Sequence, residues 1–149
     1  MNNSVKFEIK PASLADVGEL RKLEQVCFGQ DSWPLFDLLG VLTFPGIVRL
    51  KAVADGRMAG FAAGDRKLDE GRGWVTTIGV HPEYRRSGIG KALLAAIEEG
   101  IGRSHIRLCV RKNNLPAIRM YEQTGYVHVG LWPDYYADGE DALVMEKVR

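Results

Sequence analysis

Cysteine, surplus charge and long apolar runs are all scarce in this chain, and each scarcity closes off a class of answers. Its two cysteines, Cys27 and Cys109, stand far apart in apolar surroundings, so they read as buried thiols of a reducing compartment and not as a disulfide framework. No apolar run is long enough to span a bilayer, and Met1-Asn2-Asn3-Ser4-Val5-Lys6 lacks the apolar centre of a signal segment. No membrane is therefore expected, and the cytoplasm is the default location. A formal net charge of +1 provides no basic field able to neutralise many phosphates, so nucleic acid is not expected as a partner. No metal site is expected either. Repeats, low-complexity tracts and linkers are also missing, and 46% of the 149 residues are hydrophobic, so residues 1–149 read as one domain with a sizeable core.

What is present is an alternation of strand and helix patterns. Val5, Phe7 and Ile9 alternate as a first strand, and Ser13-Leu14-Ala15-Asp16 is a capping-box signal. It opens a helix with Leu14, Val17, Leu20, Leu23 and Cys27 inward. Ser32 is expected to cap a short second helix in which Phe36, Leu38 and Leu39 make apolar contacts. Ile47 to Ala54 and Met58 to Ala63, joined by Asp55-Gly56, read as a hairpin. After a polar loop around Asp69-Glu70-Gly71, Trp74 to Val80 forms a strand, and a helix runs through Leu93, Leu94, Ile97 and Ile101. Ile106 to Val110 is expected as a buried strand. Asn114 caps a further helix that Gly125 ends, and Val127 to Leu131 and Ala142 to Lys147 close the domain as strands. The expected fold is α/β, in the α+β sense of helices over a mixed, largely antiparallel central sheet.

The most informative stretch is Val80-His81-Pro82-Glu83-Tyr84-Arg85-Arg86-Ser87-Gly88-Ile89-Gly90-Lys91. It leads from an apolar strand through a basic glycine turn into a helix. Gly88 and Gly90 clear space for a diphosphate near the backbone, and the free N–H groups of the helix start point at it. A solvated strand-to-helix connection is the plainer alternative. A dinucleotide fingerprint needs a third glycine where Leu93 stands, and a P-loop needs a hydroxyl where Ala92 stands. His81, beside Pro82, reads as a turn residue.

Arg85-Arg86-Ser87-Gly88-Ile89-Gly90 resembles the Arg/Gln-x-x-Gly-x-Gly/Ala pyrophosphate motif of the GNAT N-acetyltransferases. Asn114-Leu115-Pro116-Ala117-Ile118-Arg119-Met120-Tyr121 resembles the same family's Asn-x-x-Ala-x-x-x-Tyr segment. The likeness continues through Tyr126 and into Asp134-Tyr135-Tyr136-Ala137-Asp138-Gly139-Glu140-Asp141-Ala142, a stretch similar to that of protein N-terminal acetyltransferases, among them the ribosomal-protein-alanine type. The resemblance implies acetyl-coenzyme A as co-substrate. It implies that Ile78, Gly79 and Val80 line the thioester arm, that Arg85, Arg86, Ser87, Gly88, Ile89, Gly90 and Lys91 hold the pyrophosphate, and that Asn114 bonds the pantetheine arm. It makes Tyr121 the general acid.

The chain departs from that pattern at one place. In the ribosomal-protein enzymes the strand Leu108-Cys109-Val110-Arg111 carries a glutamate, the general base, where Cys109 stands here. Cys109 reads more simply as a small apolar filler. An α-amino group is neutral in roughly 10–15% of molecules at pH 7 and a lysine amine in about 0.04%, so waiting for the neutral form costs about 1 kcal/mol for the first and nearly 5 for the second. The expected acceptor is therefore a protein or peptide N-terminus, and the expected assembly a monomer or weak homodimer. Asp31 and Trp33, in the variable helical region, and Tyr136, in the facing loop, are the expected acceptor-binding residues. Acetylation of a small amine and non-catalytic sensing of acetyl-coenzyme A are the alternatives.

Overall fold

In the computed structural model, which describes residues 5–67 and 71–149, the alternating segments assemble into a seven-stranded sheet. The strands are β1 (Glu8–Pro11), β2 (Ile47–Ala54), β3 (Arg57–Asp65), β4 (Gly73–Val80), β5 (His105–Arg111), β6 (Val127–Trp132) and β7 (Ala142–Val148). Their order across the sheet is β1-β2-β3-β4-β5-β7-β6. Every neighbouring pair is antiparallel except β4 and β5, which are parallel. The β2–β3 hairpin turns at Asp55 and Gly56, both with positive φ (53° and 74°), the geometry that lets a two-residue turn follow the twist of the strands.

Four α-helices cover the sheet: α1 (Val17–Phe28), α2 (Leu35–Thr43), α3 (Ile89–Ile101) and α4 (Leu115–Gln123). Leu93, Ile97 and Ile101 of α3 share one core with Ile106, Leu108 and Tyr121, while Leu20 and Leu23 of α1 share another with Leu38 of α2 and Phe61. β3 is buried from Met58 to Gly64, as a strand covered on both faces must be. Gly73 makes close helix–sheet packing possible: a Cβ there would lie 2.3 Å from Ile101 Cγ2.

The structure corrects four local expectations. The first strand begins at Glu8, so Val5 and Phe7 precede it and pack on the core from outside the sheet. The capping box is present, with the Asp16 carboxylate accepting from Ser13 N at 2.8 Å, but it opens a 3-10 turn before α1 and leaves Leu14 51% exposed. Ser32 does not cap α2; Pro34 precedes its first residue, and Phe36 is 81% exposed. Cys27 and Cys109 are half-buried, not buried, and Cys109 lines a cleft. The loop residues Asp69 and Glu70 lie outside the described residues. No helix among the described residues is long and apolar enough to cross a membrane.

Candidate active site

β4 and β5 pair only at Gly73 with Ile106 and at Trp74 with Arg107, then diverge. The cause lies on the other edge of β4. Its register with β3 steps from Thr77 to Val75 opposite Ala63 and Gly64, which leaves Thr76 as an extra residue whose hydroxyl donates to Ala63 O at 3.0 Å. A bulge of this kind bends the strand that carries it. The wedge between the strands is a cavity of about 210 Å³.

Seven of the residues singled out in the sequence line that one cavity: Asp31, Trp33, Ile78, Cys109, Asn114, Tyr121 and Tyr136. They come from five separate parts of the chain. Gly79, Val80 and the basic glycine turn do not line it and sit beyond its end, where β4 leads into α3. Tyr121 lies on the inner face of α4, and burial, followed by the nearby Tyr136, pushes its phenol well above the ordinary range. It therefore keeps its proton at any physiological pH. Cys109 is pushed up to about 11 by burial and stays a thiol, which makes it no base. Tyr136 is pushed up to about 12, chiefly by burial and then by Cys109 and Tyr135.

Asn114 Oδ1 accepts from Ala117 N at 3.3 Å as the N-cap of α4, so the side-chain amide is fixed with its NH₂ donors uncommitted by the cap. In the glycine turn, Gly88 takes φ +87° immediately before α3, a conformation that L side chains rarely adopt. Gly90 serves packing instead: a Cβ there would lie 3.3 Å from Met120 Sδ on α4. Arg85 Nε donates to Val80 O at 3.1 Å, and Cys27 Sγ donates to the same oxygen at 3.4 Å, so the end of β4 is tied to both the turn and α1. The Ser87 hydroxyl donates to Tyr84 O. Gly79 admits the end of α1, since a Cβ there would lie 3.2 Å from the Phe28 ring. His81 Nδ1 accepts from Glu83 N at 3.1 Å, the turn role expected of it.

Three residues of the site, Glu24, Thr77 and Arg111, escaped the reading of the sequence. Glu24, on α1, is only 4% exposed, and burial raises its carboxyl above the ordinary range although Trp33 N (3.3 Å) and the Thr77 side chain donate to it. Thr77 lines the cavity, so the carboxylate stands one hydroxyl behind it. Arg111, at the end of β5, also lines the cavity and holds several acids around it. Glu24 occupies an ordinary helical position between Leu23 and Gln25 and Arg111 alternates normally along its strand, so only a charge facing the core side of each element could have flagged them. Among the described residues no group of three or more His, Cys, Asp or Glu is arranged to hold a metal ion.

The sequence pattern of the Acetyltransferase (GNAT) family matches residues 18–126. An N-alpha-acetyltransferase of Sulfurisphaera tokodaii is 31% identical over 94% of this chain and 92% of its own length. An uncharacterized N-acetyltransferase of Methanocaldococcus jannaschii is 34% identical over 95% of this chain and 91% of its own. Among solved structures, the ribosomal-protein-S18-alanine N-acetyltransferase of Escherichia coli superposes with a TM-score of 0.86 at 27% identity, covering 96% of this chain and 94% of that one.

Proposed function

The chain belongs to the Acetyltransferase (GNAT) family and is an N-acetyltransferase, and from that premise we propose that it acetylates the α-amino group of a protein or peptide N-terminus, as the ribosomal-protein-alanine enzymes do. The observation that carries this reading is the wedge between β4 and β5, which gathers Tyr121, Asn114 and the Glu24–Thr77 pair around one small cavity.

Acetyl-coenzyme A fits the residues present. The left-handed turn at Gly88 leads into the N–H groups of the first turn of α3, and Arg86 and Lys91 flank it, a setting that favours a diphosphate. The uncommitted Asn114 NH₂ suits an amide-bearing arm. When bound, this co-substrate supplies an activated acetyl thioester.

The chain's own residues then have distinct tasks. The β5-facing edge of β4 beyond Trp74 lacks a strand partner, so its backbone donors can hold the thioester carbonyl oxygen. Thr77 receives a proton from the attacking amine and passes its own to Glu24, whose raised pKa brings it nearer the working pH. Tyr121, protonated throughout, donates a hydrogen bond to the departing sulfur. Asp31, Trp33 and Tyr136 form the acceptor side of the cavity.

The test is release of free coenzyme A from acetyl-coenzyme A with short peptides and their amino-terminally blocked forms across pH. Turnover confined to the unblocked peptides and rising toward pH 8 is the expected result. Preference for an internal lysine over the same peptide's α-amine would overturn it.

A further inference from the structure

Two stretches of chain flank the acceptor side of the cavity, and they are distant in sequence. One is the 3-10 turn Gly29–Asp31 between α1 and α2; the other is the connection between β6 and β7, which contains Tyr136, Asp138 and Glu140. Arg111 reaches both. Its Nε and Nη2 donate to Asp31 Oδ2 at 2.8 and 2.5 Å, while Nη1 donates to Asp138 Oδ1 and Oδ2 at 3.1 and 3.0 Å. Glu140 Oε1 stands 3.6 Å from the same nitrogen, and the guanidinium lies 4.2 Å from the centre of the Tyr136 ring.

Resting on the acyl-transfer reading above, we propose that Arg111 is a positioning residue, a strap that sets the spacing of the two acceptor-side segments and so the affinity for the acceptor peptide. The geometry fits this task better than a direct chemical one. A guanidinium stays protonated at working pH, and all three of its nitrogens are engaged by carboxylates. Its planar fork serves Asp31 on one side and Asp138 on the other, which a single ammonium cannot do with the same directions. Among the described residues, no other ion pair joins either segment to β5 or to the other. The stacked Tyr136 ring, which lines the cavity, is thereby held against the strap.

One detail makes the strap resistant to a single loss. Glu140 Oε1 is buried and has no hydrogen-bond partner. If Asp138 is neutralised, a small rotation brings Nη1 onto this oxygen. Loss of Asp138 alone is therefore buffered, while loss of both acids releases the β6–β7 connection.

The experiment compares the full-length protein with Arg111→Lys, Asp138→Asn and the pair Asp138→Asn/Glu140→Gln. Steady-state kinetics with saturating acetyl-coenzyme A and varied peptide are combined with amide hydrogen exchange. For Arg111→Lys and the double variant the peptide KM is expected to rise about tenfold with kcat within about threefold, the signature of lost binding common to ground and transition states. Asp138→Asn alone is expected to shift KM about twofold or less. Exchange is expected to quicken at 134–141 in the double variant, and at both 29–33 and 134–141 in Arg111→Lys. A fall in kcat at constant KM, or exchange unchanged at both segments, overturns the strap. The double variant alters only the loop side, so it decides the question if Arg111→Lys does not fold. Should the wild-type protein turn over no N-terminal peptide, the acceptor assignment falls, while the exchange data still decide whether Arg111 joins the two segments.

Discussion

Replacing Tyr121 by Phe isolates one oxygen atom from everything else in the site. The ring is 6% exposed and meets Tyr126 edge-on, with ring centres 5.8 Å apart, so the packing of α4 survives the change. Stability should move by less than about 0.5 kcal/mol, as for a substitution that opens no cavity and orphans no partner. What is lost is the proton donor proposed for the departing sulfur. A well-positioned general acid contributes about 10²–10⁴-fold, equivalent to about 3–5 kcal/mol of barrier. We therefore expect kcat to fall at least about a hundredfold while the dissociation constant of coenzyme A, measured by calorimetry, stays the same. Because burial holds the phenol above its usual range, the wild-type rate should also show no alkaline decline before pH 10. A Tyr121→Phe enzyme within threefold of the wild-type kcat, correctly folded, would refute the assignment of Tyr121 as acid.

Glu24→Gln should lower kcat about a hundredfold or more if the carboxylate receives the amine's proton, yet raise the melting temperature at pH 7.5. The sign follows from its raised pKa: the fold favours the protonated acid, so ionisation above the folded pKa costs stability, and the advantage of Gln should vanish as pH falls through that value in a pH series of thermal melts. Gly73→Ala should destabilise by about 1–3 kcal/mol through overpacking against Ile101 and the carbonyl of Asp65, read from the urea midpoint at constant m. Glu98→Ala should cost about 3–5 kcal/mol, because the buried carboxylate accepts from Tyr126 Oη at 2.8 Å and from Lys147 Nζ at 3.0 Å, and the ammonium would be left without its partner. Equal unfolding midpoints for Glu98→Ala and wild type would remove that account.

Where the code is local, the residues announced the structure. Asn114 caps α4, Gly125 ends it at φ +105°, Asp55-Gly56 turns the hairpin, and β5 extends only one residue at each end beyond Ile106 to Val110. The errors arise where a neighbouring residue or tertiary packing overrides a local signal. Ser32 has the chemistry of a cap, but Pro34 keeps Trp33 before it out of the helical region, so α2 starts only at Leu35, beyond the reach of a Ser32 cap. Phe36 has the right spacing for a core position, yet nothing among the described residues covers that side of α2. The cavity residues were legible one motif at a time, and their convergence was not, since it depends on a single bulged residue, Thr76, whose sequence looks like ordinary strand. Glu24 and Arg111 were missed for the same reason: each acquires its meaning from partners 9 to 80 positions away.

The two residue pairs that join β4 to β5 divide the molecule mechanically. On one side stand β1 to β4, on the other β5, β7 and β6, each ladder continuous within itself. The seam is short, and α3 covers it, packing on β2, β3 and β4 and holding Lys147 of β7 through Glu98. A ligand seated in the open part of the seam bridges two halves that the backbone leaves unlaced, and occupancy at about a hundred times its dissociation constant adds about 2.7 kcal/mol to the folded state. Cellular supply of the acyl donor would then act on the protein twice, as fuel for turnover and as the fastener that sets how long each copy lasts.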